Sequence, residues 1–286
     1  MLEVFSSNRW SSKLELKEFP EPEIVHLNHP VLVCHGYGAL AGLVKPSPLY
    51  DVALLMRSHN VLAFAPNIVS YAKIETRAAR WMRLIHKVKE RTGAEKLNVV
   101  AHSMGGLDMR YALSKLDAAP HVASLTTIST PHRGTSLAEL ALNTPDRIRD
   151  KIGDFLEWVG DRFVPTDKSD AIGAARQLTR IYINNEFNPE ITDVPGVSYY
   201  SYSSAVGRGT DQPIKVISRY QNNHIYEHEG LNDGMVSVES SKWGEHIKTL
   251  NLSHLEQINL RVREERKHLF EAFCLEVIKM LEAKGH

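Results

Sequence analysis

The stretch Ala101-His102-Ser103-Met104-Gly105-Gly106 is suited to covalent chemistry. A serine hydroxyl is a poor nucleophile until a base removes its proton. It must also stand clear of its surroundings, which calls for a sharp turn between a strand and a helix, with flanks nearly free of side chains. The apolar run Leu97–Ala101 precedes Ser103, a helix-forming segment Met104–Leu116 follows it, and Gly105 provides one small flank. At the other small position of the G-x-S-x-G pattern this chain has Ala101, which adds a single methyl and leaves the turn feasible.

Acyl transfer through such a serine needs three further parts. The negative oxygen of the intermediate must meet N–H donors that already point at it. Met104, the residue after the nucleophile, offers one backbone N–H. The glycine-rich segment His35-Gly36-Tyr37-Gly38 offers the other, at Tyr37, because glycine lets backbone approach a ligand closely. An acid must hold the base in one tautomer and stabilise its charged form. Asp233, in Leu231-Asn232-Asp233-Gly234-Met235-Val236, is the candidate, although Asn-Asp-Gly is also an ordinary turn sequence. The base should follow the acid in the chain order serine, acid, histidine. Fourteen histidines compete for that role. His224 and His228 precede Asp233, and His246 and His268 sit among Lys, Arg and Glu in what read as solvated faces. His254, in Leu252-Ser253-His254-Leu255-Glu256, remains as the base.

These groups need a scaffold. Pro30–His35, Val61–Ala65, Leu97–Ala101 and Val122–Ile128 are brief apolar runs, as expected of strands covered on both faces. They alternate with helix-like segments at Ile74–Arg91, Met104–Leu116 and Glu264–Lys284, and two more strand-like stretches follow at Ser198–Ser204 and Ile247–Leu252. The pattern predicts an α/β fold, a mostly parallel sheet flanked by helices. The strand rhythm stops between Thr135 and Arg180. There Ile148, Ile152, Phe155, Leu156, Val159 and Phe163 fall on one helical face, and Arg149, Asp150, Asp154, Glu157 and Asp161 on the other. The expected organisation is one domain, 1–286, with a helical insertion at about 135–180. Asn184–Gly196, rich in Asn and Pro, reads as a loop.

The 286 residues are 43% hydrophobic, enough for a large core. Lys+Arg and Asp+Glu are each 34, so nothing asks for a nucleic acid or an anionic membrane as partner. Cys34 and Cys274 are expected to be free, buried thiols. Met1–Lys17 lacks an apolar run of signal-peptide length and no segment approaches a membrane span, so a soluble, cytoplasmic protein is expected unless a leader has been removed.

Together the four motifs resemble those of the triacylglycerol lipases of the α/β-hydrolase superfamily, from about Pro30 to Asn259. Ile128–Thr135, Phe187-Asn188-Pro189, Val194–Tyr202 and the stretch from Asn232 to Gly244 with Ser237, Ser240 and Trp243 are similar as well. The resemblance implies a serine ester hydrolase acting on a lipid or small ester, with Ser103 as nucleophile, Asp233 as acid, His254 as base, and Tyr37 and Met104 as oxyanion donors. It implies no cofactor for the chemistry, and a lid at Arg147–Phe163 that opens at a transient lipid–water interface. It also raises a structural calcium ion near the histidine, with Glu256 and Asp211 as candidate ligands; two salt-linked surface acids are the other reading. A short-chain esterase or phospholipase, an acyltransferase, and a non-catalytic binding protein of the same fold are the alternatives.

Overall fold

A computed structural model describes residues 23–36, 46–143, 171–260 and 262–286. Six parallel strands form one sheet in the order β2-β1-β3-β4-β5-β6. β1 is Val31–Cys34, β2 Ala63–Phe64, β3 Leu97–His102, β4 Val122–Ile128, β5 Ser198–Ser204 and β6 Glu245–Leu250. Every residue of β1, β3 and β4 is buried, which is why these strands are rich in apolar residues rather than alternating apolar with charged ones. β2 is reduced to two residues at one edge. β6, at the other edge, is exposed or half-buried up to Leu250, its one buried residue, and carries Glu245 and Lys248, charges that discourage pairing with another chain.

Helices cover both faces. On one, α1 (Tyr50–Ser58) and the C-terminal helix (Lys267–Ala283) pack Val52, Met56, Phe270, Phe273, Cys274, Val277, Ile278 and Leu281 against Val33, Val100 and Tyr202. Each such apolar side chain contributes about 1.5–3 kcal/mol when fully buried. On the other, α2 (Ile74–Thr92) and α3 (Met104–Lys115) pack Trp81, Ile85, Met109 and Leu113 against Leu32, Val99 and Leu125. α2 ends as its sequence predicts, with Lys89 and Arg91 in the last turn and Gly93 left-handed at φ 71°. A third apolar cluster gathers segments that follow the strands. It joins Met104 and Leu107 to Leu137 and Ala138 of α4 (Ser136–Asn143), to Ile183 and Phe187, and to Met235 and Val236.

Three sequence readings change. Much of Asn184–Gly196 is helical: Ile183–Phe187 forms a π-turn and Asn188–Glu190 continues it, because Ile183 and Phe187 are both buried and Pro189 sits in a first turn, where a missing N–H costs nothing. His246 is half-buried inside β6, with its ring nitrogens 3.4 Å from the Oγ atoms of Ser201 and Ser203, rather than on a solvated face. The run Val61–Ala65 contributes only two strand residues. The stretch assigned to a lid, Arg147–Phe163, lies outside the described residues, as does Tyr37. Cys34 and Cys274 are free and buried. Among the described residues, no helix is long and apolar enough to cross a membrane.

Candidate active site

Ser103 stands between β3 and α3 with φ 56° and ψ −134°, a conformation that an L-residue adopts only when its surroundings enforce it. The enforcement is visible. Its N–H donates to Ile128 O (2.9 Å) at the end of β4, and its carbonyl accepts from Thr130 Oγ1 (2.7 Å) and Gly106 N (3.1 Å). A Cβ added to Gly105 would lie 2.7 Å from the Cys34 carbonyl oxygen, so the first turn of α3 presses on the end of β1. Ser103 Oγ is buried and has no hydrogen-bond partner among the described residues. Met104 opens α3, and an N–H at a helix's first position has no acceptor within the helix.

The chain leaving β1 reaches the same turn. A Cβ on Gly36 would lie 2.7 Å from Ser103 Cβ and 2.9 Å from Met104 N, so only glycine keeps the space before that N–H open. This segment is anchored from behind. Arg77 of α2 donates from Nη2 to His35 O (2.7 Å), from Nη1 to Val69 O (2.9 Å) and from Nε to Asp108 Oδ2 (2.8 Å). Trp81 Nε1 donates to the same carboxylate oxygen at 3.1 Å. The Arg77 and Asp108 side chains are fully buried. Burial pushes the Asp108 carboxyl up to about 6, against the pull of Arg77. His35 accepts from Ile68 N at Nε2 (3.1 Å), so Nδ1 carries the proton it donates to Gly36 O (2.9 Å). Burial, and then the Arg77 charge, lower His35 to about 3 and keep it neutral.

Asp233 lies in a tight turn after the helix Arg219–Glu229. Its Oδ1 accepts from Met235 N (2.9 Å) and Val236 N (2.8 Å), and its Oδ2 accepts from His254 Nδ1 (2.7 Å) and Gln257 Nε2 (3.0 Å). Burial alone would raise its pKa. The His254 charge and hydrogen bond, with the two backbone donors, reverse that and hold the carboxyl below the usual range. His254 N also donates to the Asp233 carbonyl at 3.0 Å, so backbone and side chain of the two residues are both joined. With Nδ1 donating to the carboxylate, Nε2 of the neutral ring carries the lone pair. Ser103 meets this pair through its neighbour: the His102 ring is buried 4.5 Å from that of His254, and burial followed by the His254 charge holds His102 well below the ordinary histidine range.

Of the residues singled out from sequence, Asp233 and His254 are joined directly, and Ser103 and Met104 lie at the turn beside them. Asp211 is exposed and accepts from Gln212 Nε2 (3.1 Å). Glu256 is buried and bound to Arg266 rather than lying at the surface. Among the described residues, no three His, Cys, Asp or Glu side chains are grouped to hold a metal ion. Sequence reasoning missed Gln257, His102 and the Arg77–Asp108 pair. Gln257 alone left a signal, since it falls within one turn of His254. The later similar segments form a brace: Arg110 of α3 stacks on Trp243 (3.6 Å) and donates to Asn188 Oδ1 (3.0 Å) and Ile191 O (2.9 Å).

The family model described as alpha/beta hydrolase fold matches residues 29–170, and the strand–turn–helix at Ser103 lies within that range on a parallel sheet. The chain has the α/β-hydrolase fold. The chain is 31% identical over 220 residues to triacylglycerol lipase 2 of Saccharomyces cerevisiae, covering 73% of this chain and 61% of the yeast protein. It is 25% identical over 275 residues to a triacylglycerol lipase of Pseudomonas fragi, covering 86% of this chain and 92% of that protein. The structure of Bacillus licheniformis lipase BlEst2 in mature form has the same fold, with a TM-score of 0.63 at 18% identity, covering 90% of this chain and 97% of that one. The chain thus spans less than two thirds of the yeast relative and nearly all of the Pseudomonas fragi and Bacillus licheniformis proteins.

Proposed function

We propose that the protein is a serine lipase/esterase that hydrolyses carboxylic esters, with acylglycerols as the substrate class. The hydrogen bond between His254 Nδ1 and Asp233 Oδ2, next to a serine in a strained strand-to-helix turn, carries this reading. The similarity to triacylglycerol lipases supports the substrate class. In the proposed cycle His254 Nε2 takes the Ser103 proton as Oγ attacks the ester carbonyl. The Met104 N–H receives the oxyanion; a second donor is assigned to Tyr37 by resemblance. His254 then protonates the leaving alcohol, and water repeats the sequence on the acyl-enzyme while Asp233 stays ionised. None of these steps calls on a cofactor.

The test combines Ser103→Ala with a substrate profile. A fluorophosphonate probe should label the wild type and leave Ser103→Ala unlabelled, with both unfolding at the same temperature. Labelling that persists in the variant would move the nucleophile elsewhere. Rates on p-nitrophenyl esters of rising chain length and on a triglyceride emulsion separate a lipase from a short-chain esterase, and a product assay with added alcohol detects acyl transfer.

A further inference from the structure

Glu256, two residues after His254, is where the resemblance would put a calcium ligand, and its surroundings hold a different cation. Arg266, buried at the entrance to the C-terminal helix, donates from Nε to Glu256 Oε1 (2.9 Å) and from Nη2 to Glu256 Oε2 (3.4 Å). Its Nη2 also donates to the Asn251 carbonyl at the end of β6, and its Nη1 to Gln212 Oε1 (3.3 Å) in the segment that follows β5. Glu256 Oε2 in turn accepts from Ser253 N (2.8 Å), the residue before His254. One guanidinium therefore ties together three separate stretches of chain: the segment beside Asp211, the end of the last strand, and the loop that bears the histidine.

A calcium ion at this carboxylate would need six to eight oxygen ligands. Here the carboxylate, a backbone carbonyl and a side-chain amide oxygen face the donors of a planar, permanently charged fork. A second cation would meet the charge of the first, and the residues present do not fit the metal. We propose that Arg266 is the resident cation of the His254 loop, and that it holds by hydrogen bonds the geometry that a bound calcium ion would hold by coordination. Arg266 is then a positioning residue. It acts on His254 through Glu256 and the Ser253 N–H, and never touches substrate. Its effect on rate rests on the reading of His254 as the base; its effect on metal dependence does not.

The test has two independent arms. Wild-type protein treated with excess EGTA should contain no calcium by atomic emission, and its unfolding temperature and kcat should stay unchanged whether EGTA or calcium is present. Stoichiometric calcium in the purified protein, or an unfolding temperature lowered by EGTA, overturns the proposal whatever the catalytic residues are. In the second arm, Arg266→Gln should lose about 10–100-fold in kcat, the range found when groups that orient a functional ligand are removed. KM for a soluble p-nitrophenyl ester should hold, and Arg266→Lys should recover part of the loss, since an ammonium cannot span the same acceptors. Wild-type kcat in Arg266→Gln overturns the proposal. Should that variant fail to fold, Glu256→Gln reads the same linkage: reduced kcat at unchanged KM supports it, and wild-type kcat overturns it.

Discussion

Replacing Gly36 by alanine probes how closely the chain leaving β1 is fitted to the nucleophile turn. The added methyl would lie 2.7 Å from Ser103 Cβ, 2.9 Å from Met104 N and 3.0 Å from His102 O. Non-bonded carbon atoms settle at about 3.5–4.0 Å, so relief needs a shift of about 1 Å. None of the three neighbours can supply it easily. Two are backbone atoms, and the third is the root of a side chain whose backbone is fixed by Ile128 and Thr130. The chain at Gly36 must therefore move, and with it the space before the Met104 N–H. A displacement of about 1 Å costs on the order of 10²-fold in rate, or about 2.7 kcal/mol in the barrier. Loss of an oxyanion donor costs about the same or more, 10²–10³-fold. The assay is kcat and KM on a soluble p-nitrophenyl ester, the rate of fluorophosphonate labelling, and thermal unfolding. Gly196→Ala is the control: its methyl meets nothing within 4 Å, and at φ 84° it carries backbone strain alone. It should lower stability by about 1–2 kcal/mol with kcat intact. If Gly36→Ala keeps kcat/KM within about threefold of the wild type, the oxyanion is not received in front of Met104 and the reasoning fails.

Three other outcomes follow from the same geometry. Asp233→Asn should lower kcat by about 10⁴-fold, because the amide no longer holds the right tautomer of His254, and a near-normal rate would remove Asp233 from the mechanism. Asp108→Asn strands the buried Arg77 charge and should cost about 3–5 kcal/mol in urea unfolding at pH 8, where the carboxyl is ionised; an unchanged midpoint would show that the pair contributes nothing. His35 is held down at about 3 in the folded protein against an ordinary value of 6.5, so the unfolded chain binds its proton first as pH falls. Stability from His35 is thus full above pH 6.5 and declines toward pH 3, at up to about 1.4 kcal/mol per unit. Urea midpoints of wild type and His35→Asn should therefore converge over that window, and parallel curves would contradict the assignment.

What could be read from sequence follows from how locally each feature is determined. β1, β3 and β4 were legible because a strand buried on both faces is a short run rich in apolar and β-branched residues. The helix Arg219–Glu229 was not. It buries Gln221, Asn222 and Ile225, and Asn222 serves by hydrogen-bonding Val206 O and Asn232 Oδ1, a role that no periodicity marks. At the site, the Asp233–His254 partnership could be anticipated because chain order and turn chemistry constrain it. The His102 ring beside His254 could not, since that contact exists only once the two segments have met. Glu256 stands out in the sequence by its place after the histidine, but its partner Arg266 sits ten residues on, at the head of a helix marked only by its apolar face.

The parallel sheet also sets when during synthesis the protein can act. In the proposed mechanism the nucleophile turn follows β3, and its proton acceptor sits beyond β6, the last of the described strands to leave the ribosome. A half-made chain can therefore hold the reactive alcohol without the ring that would activate it. Until Phe273 arrives to cover Tyr202, the face that α1 shares with the final helix is also only partly covered. Under the proposed mechanism the nascent chain is chemically silent until the segment bearing His254 is made, and its apolar face stays sticky until the final helix docks.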